Sequence, residues 1–165
     1  GDIDAALERA GLPGDALEIE ITEGVLLDGQ EYVDRALAAL GARGVAIAMD
    51  DFGTGYASLS YVRDYPFDSL KIDRAFVQGV DVHTGQRSLL ETTLRMAKGL
   101  GLRTVAEGVE TAAELAVLRR EDCELAQGYL FAAPLSADDF TGFTRSWLAG
   151  GCGTGDGAGP HTESR

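Results

Sequence analysis

The chain has 165 residues, 45% of them hydrophobic, and a formal net charge of −13. That is enough apolar material for one globular domain with a core, and too much negative charge for a nucleic-acid backbone or an anionic membrane surface to be a broad partner. A phosphorylated substrate stays admissible where bound metal reverses the local field.

Strand and helix patterns alternate along the chain. Ile3 to Ala10 reads as a helix that stops at Gly11-Leu12-Pro13-Gly14. Leu17 to Ile21 alternates Leu-Glu-Ile-Glu-Ile, so Glu18 and Glu20 share one face of a strand. A helix is predicted from about Tyr32 to Ala42, with Leu37 and Leu40 on its apolar stripe. Val45 to Met49 is a short buried strand, apolar on both faces. A glycine-rich loop and a short helix near Leu59 to Asp64 follow, and then a strand from Ser69 to Asp73. Arg87 to Leu100 is amphipathic, carrying Leu89, Leu90, Leu94, Met96 and Ala97. Arg103 to Ala106 is the next strand, and Thr111 is the expected N-cap of a helix that ends at Arg120. A last strand near Leu125 reaches Gln127-Gly128-Tyr129, and a final helix spans about Ala137 to Leu148, with Phe140, Phe143 and Trp147 expected in a core.

Repeated strand-then-helix units at this spacing imply parallel strands joined by right-handed crossovers. Five such strands fall short of a closed barrel, which needs eight strands and typically about 250 residues. The fold expected is α/β: an incomplete TIM-type (β/α) barrel of about five parallel strands with flanking helices over residues 1–149. Residues 150–165 form a glycine-rich tail expected to be disordered. The chain begins at Gly1 rather than Met, as a fragment or a processed product does.

Glu20, Asp50, Asp51, Lys71, Glu107, Glu110 and Gln127 each fall at or just past the C-terminal end of a predicted strand. In a parallel barrel those ends converge on the face that carries the active site. Five carboxylates, one amine and one amide suit a divalent-metal site with an internal cation. Hard oxygen donors without a histidine cluster favour Mg²⁺ or Mn²⁺ over zinc, and two-metal sites of that kind activate water for attack on phosphodiesters. Each residue also has a plainer reading. Asp50 and Asp51 suit a helix-capping pair, and either Glu18 or Glu20 is a polar plug. Lys71 is a counter-ion for Asp73 or a neighbouring acid in that reading, and Glu110 is an acid favoured at a helix N-terminus. His83 and His161 are solvated, and Cys123 is a small buried hydrophobe. Cys123 and Cys152 lack metal spacing and read as reduced thiols of a cytoplasmic protein. No apolar stretch is long enough to cross a bilayer and no signal peptide is read here; an anchor upstream in a parent protein stays admissible.

The strings LEIEITE, MDDFGTGYASLSYVRDYPFDSLKIDRAFV, TVAEGVE and QGYLFAAPL resemble the C-terminal portion of the EAL domain family, whose members hydrolyse the bacterial messenger cyclic di-GMP to the linear dinucleotide pGpG. The resemblance covers roughly residues 11–143. It implies Glu20 and Asp50 as ligands of a first metal, with Asp50 bridging to a second metal held also by Asp51 and Glu107. A general-base role comes with Glu107 as well. Lys71 would contact the attacking water or the developing charge, with Glu110 and Gln127 as its supports. Glu23 resembles the glutamate that anchors the DDFGTG loop, and Phe52, Gly53, Thr54 and Gly55 match that loop, which in the family couples dimer contacts to metal binding.

The Glu-Ala-Leu strand that names the family is absent from these residues, and with it a metal-binding glutamate. The family's asparagine ligand and its first three strands are absent too. The resemblance therefore implies a cyclic di-GMP phosphodiesterase domain using two Mg²⁺ or Mn²⁺ ions, impaired in this chain. The alternative is a catalytically inactive module that binds cyclic di-GMP or a protein partner. A homodimer, and an upstream sensory or GGDEF domain, are the implied associations.

Overall fold

The computed structural model describes residues 2–28, 30–53 and 59–149. In chain order these form α1 (Asp2–Ala10), a 3-10 turn (Gly14–Ala16), β1 (Glu18–Thr22), α2 (Glu23–Asp28), α3 (Gln30–Gly41), β2 (Ala46–Phe52) and α4 (Leu59–Asp64). They continue with β3 (Ser69–Ile72), α5 (Arg74–Val77), α6 (Thr84–Gly99), β4 (Arg103–Ala106), α7 (Ala112–Arg120), β5 (Leu125–Ala126) and α8 (Ala137–Ala149). The tail expected at 150–165, with Cys152 and His161, lies outside the described residues, as do Thr54 and Gly55. The chain divides into two compact units, residues 1–131 and 132–165.

Within the first unit the five strands make one parallel sheet in the order β1-β2-β3-β4-β5. Helical connections return each strand beside its predecessor, which is the winding of a (β/α) barrel segment. The pleat sends Ile19, Ile21, Ile47, Met49, Leu70 and Ile72 to one face, where helices cover them. Ile21, Ile47, Met49 and Leu70 pack with Leu26, Val33, Leu37 and Phe67. Ile72 packs with Val77, Leu90, Leu94, Val117 and Leu118. Burial of such side chains contributes about 1.5–3 kcal/mol each, as an upper estimate. The opposite face carries Glu18, Glu20, Asp50, Ser69, Lys71, Arg103 and Glu107. Glu18 and Arg103 meet across it at 3.1 Å.

Several details differ from the sequence reading. The β2 strand continues past Met49 to Phe52, and Asp73 leaves β3 to cap α5, its carboxylate accepting from the Ala75 N–H at 2.8 Å. The short helices α2 and α5, of 6 and 4 residues, are additions to the sequence reading. Leu89 is exposed: the buried stripe of α6 is Leu90, Thr93, Leu94 and Ala97, and Leu89 lies about 100° round the helix from it. Phe140 and Trp147 are exposed as well, and α8 buries no residue. Helical spacing shows which residues share a face, but it does not supply the surface that would cover them. Cys123 is half-buried rather than fully enclosed. Burial pushes its thiol pKa up, which lowers its thiolate fraction.

Candidate metal centre at the strand ends

Two consecutive aspartates on a regular strand would point to opposite faces. Here they do not, because the strand is bulged. Met49 pairs with Leu70 and Phe52 with Ile72, so β2 takes three steps where β3 takes two. Asp51 absorbs the extra residue with a left-handed backbone, φ 55°. Aspartate is among the few side chains that accept this region readily. The result is that carboxylate oxygens of Asp50, Asp51 and Glu107 all lie within 4.8 Å of one another. Since α4 begins only at Leu59, neither aspartate caps it.

Lys71 sits in the middle strand beneath these acids. It is 7% exposed, with its ammonium 2.6 Å from Glu20, 2.7 Å from Glu107 and 3.0 Å from Asp50. Burial opposes the charge, but the carboxylates of Glu107, Glu20 and Asp50 outweigh it and hold the lysine pKa above its usual value. The approach to Asp50 Oδ1 is an ion contact without hydrogen-bond direction, so this buried oxygen has no hydrogen-bond partner. Glu107 is shifted upward, first by burial and further by Asp50 and Glu20, against the pull of Lys71. Its Oε1 also accepts from the Gln127 amide at 2.6 Å, and the Gln127 main chain is tied to Ala106.

The competing readings of the other residues separate on geometry. Glu20 reaches Lys71, whereas Glu18 reaches Arg103. Asp73 is occupied as a cap and is not a partner of Lys71. Glu110 is not among the three carboxylates on Lys71, and it accepts instead from Gln78 at 3.2 Å. Phe52 packs on the first core cluster. Gly53 (φ 101°) lies under the Phe76 ring, so close that a Cβ there would fall 2.2 Å from Cε2. The Glu23 side chain is outside the described residues. His83 is exposed at the start of α6.

A divalent cation fits this donor set. Among the described residues three carboxylates (Glu20, Asp50 and Glu107) meet one ammonium, Asp51 lies beside two of them, one buried carboxylate oxygen has no hydrogen bond, and every donor is a hard oxygen.

One residue escaped the sequence reading. Glu114 is 5% exposed, and its carboxylate accepts the N–H groups of Gly79 (3.0 Å), Glu110 (3.1 Å) and Thr111 (3.0 Å). Burial works to raise its pKa, and these backbone donors overcome that and lower it. The signal was present as a capping box, Thr111-Ala-Ala-Glu114, of which only Thr111 was recognised.

A sheet wound in sequence order, with acids and a lysine clustered at its strand ends, defines a (β/α)-barrel domain carrying a carboxylate-rich polar site. The chain belongs to the EAL domain family, whose model matches residues 1–134. It is 43% identical over 142 residues to the cyclic di-GMP phosphodiesterase NbdA of Pseudomonas aeruginosa, covering 86% of this chain and 18% of that protein. It is 35% identical over 143 residues to the oxygen sensor protein DosP of Escherichia coli, covering 87% of this chain and 18% of that one. The chain thus spans about a fifth of the length of these curated relatives. Among solved structures it superposes on the EAL domain of Mycobacterium smegmatis DcpA with a TM-score of 0.81 and 36% identity, over 87% of this chain and 65% of that one. It superposes on a manganese and cyclic di-GMP complex of Klebsiella pneumoniae BlrP1 with a TM-score of 0.75 and 33% identity, over 80% and 34% of the two chains. No described helix is long and apolar enough to cross a membrane.

Proposed function

We propose that residues 1–149 are part of a metal-dependent phosphodiesterase domain that hydrolyses cyclic di-GMP to pGpG. The observation that carries this reading is the convergence of Asp50, Asp51 and Glu107 within 4.8 Å, beside the buried Lys71. Asp50, Asp51, Glu107 and Glu20 would hold the divalent ions, Mg²⁺ or Mn²⁺. Bound there, such ions supply charge neutralisation at the phosphodiester and a more acidic water.

The chain's own side chains divide the remaining work. Lys71, kept charged by its carboxylates, places a fixed positive charge where negative charge grows on the attacked phosphate. Glu107, held 2.7 Å from Lys71 at the edge of the same donor set, is placed to take a proton from water. Gln127 fixes the orientation of Glu107 through its amide N–H. The bulge at Asp50 and Asp51 presents both carboxylates before substrate arrives, which limits the reorganisation needed during reaction.

A second reading has its own observation. Lys71 already neutralises part of the acid cluster from within, so the site persists without metal and suits a non-catalytic module that binds cyclic di-GMP or a protein partner. The two readings part in one experiment. The chain is incubated with cyclic di-GMP, with and without Mn²⁺ or Mg²⁺, alongside Asp50→Asn. Metal-dependent pGpG release that Asp50→Asn abolishes supports hydrolysis, and release that survives the substitution sinks the metal assignment. Calorimetric binding of the dinucleotide without turnover supports the module. The homodimer and the upstream sensory or GGDEF domain belong to the same proposal, and sedimentation of the chain with and without cyclic di-GMP tests the first.

A further inference from the structure

The Glu114 carboxylate does more than a helix cap requires. In a capping box the side chain returns to its own N-cap N–H, as Glu114 Oε2 does with Thr111 and, one residue earlier, with Glu110. Its other oxygen points away from the helix, to the N–H of Gly79 in the connection between α5 and α6. The two oxygens therefore join two different strand-end connections. One leaves β3 two residues after Lys71. The other leaves β4 at Glu107 and runs through Gly108 and Val109 to Glu110.

Other contacts along the same seam agree. Gly108 is so close to Arg74 that a Cβ would fall 2.5 Å from that residue's Cβ, and Gln78 bonds Glu110 across it. The Glu107 N–H is held on Ile72 at 3.0 Å. Gly79 takes φ 75°, a left-handed conformation that glycine accepts without a Cβ penalty, and its N–H reaches Glu114. A carboxylate that is 95% buried and shared by three backbone donors is a costly group to retain for capping alone, since a hydroxyl or amide serves a cap as well.

We infer that Glu114 is a positioning residue for the acidic site: by clamping the β3 connection to the β4 connection, it fixes Glu107 against Lys71. The inference rests on the phosphodiesterase reading for its functional meaning, but the clamp itself is testable without it. Capping and clamping separate in two substitutions. Glu114→Gln keeps one acceptor oxygen, which the two N–H groups at the helix end claim, and turns an NH₂ group toward the Gly79 donor. Glu114→Asp keeps the charge and the local cap but is one methylene too short to span both connections.

Amide hydrogen exchange on the full chain, followed by NMR, reads the clamp directly. Both variants should exchange Gly79 and Glu107 about ten-fold faster than the parent, while amides in the middle of α7 keep parental rates. If Gly79 accelerates and Glu107 does not, Glu114 is only a local bond and the inference is overturned. If neither changes, the bridge carries no energy and the inference is overturned as well. A Mn²⁺ titration by calorimetry adds the functional arm, with about ten-fold weaker binding in both variants than in the parent. Parental affinity in variants that show fast Glu107 exchange would separate the clamp from metal binding and refute its role in the site. A parent chain that takes up no Mn²⁺ would count against the phosphodiesterase reading alone, and the exchange rates would still decide the clamp.

Discussion

Replacing Lys71 with methionine removes the only cation bonded to Glu20, Asp50 and Glu107 among the described residues, while keeping most of the side-chain volume. At 4 Å and an effective dielectric of about 20, one unit pair contributes roughly 4 kcal/mol before desolvation. The three contacts here are shorter, at 2.6–3.0 Å. Glu20 is half exposed and therefore counts little, and relief of the buried ammonium offsets part of the rest. Breaking a buried pair by removing one partner typically costs about 3–5 kcal/mol, so a loss near 3 kcal/mol at pH 7 is expected.

With a urea slope of about 1–3 kcal/mol per molar, that loss lowers the unfolding midpoint by about 1–3 M. The pH dependence carries a sign. The Lys71 pKa is raised on folding, so its stabilisation is fully present below the ordinary lysine value and is lost as pH rises through the folded one. On the acid side the deficit of the variant shrinks as Glu107, whose pKa is raised, protonates. Urea titrations of parent and Lys71→Met at pH 7 and pH 4 measure both effects. A loss below about 1 kcal/mol at pH 7, or an equal loss at pH 4, would refute the account of the cluster as electrostatically strained acids held by one lysine.

Glu107→Gln should leave stability at pH 7 unchanged or raise it, since a raised carboxylate pKa means that folding disfavours the charged form. The urea midpoint checks this, and Mn²⁺ binding should fall in the same variant. Gly53→Ala meets the Phe76 ring and an unfavourable backbone angle, φ 101°. It should cost about 2 kcal/mol or more, partly restored by adding Phe76→Leu, as a double-mutant cycle would show. Gly128→Ala places a Cβ 2.2 Å from the Val109 carbonyl oxygen. Backbone cannot swing away as a ring can, so a loss above about 3 kcal/mol is expected from thermal unfolding.

The parallel sheet was legible because its strands announce themselves in an alternating run, Leu-Glu-Ile-Glu-Ile, and a short apolar run, Val-Ala-Ile-Ala-Met, each followed by a helical period. The acids and Lys71 were legible because strand ends converge. What the sequence hid was whatever depends on a neighbour distant in the chain. Glu18 and Glu20 look alike until Arg103 and Lys71 sort them, and Glu110 lies by a lysine-bearing strand yet bonds Gln78. Beyond the capping-box spacing of Glu114, nothing local in the sequence reveals that Gly79 folds back onto it. The apolar residues of α8 share a face in sequence, but Phe140 and Trp147 remain exposed.

The bulge between Met49 and Phe52 makes the site a matter of parity. Removing Asp50 or Asp51 would restore an even ladder with β3, relieve the left-handed backbone at position 51, and leave one carboxylate where the site has two. The sheet would survive such a deletion, even with a small gain in regularity, while the paired acids would be lost. The irregular ladder is therefore a feature that the hydrophobic core does not need. A lineage released from the chemistry could lose it in one step without losing the fold.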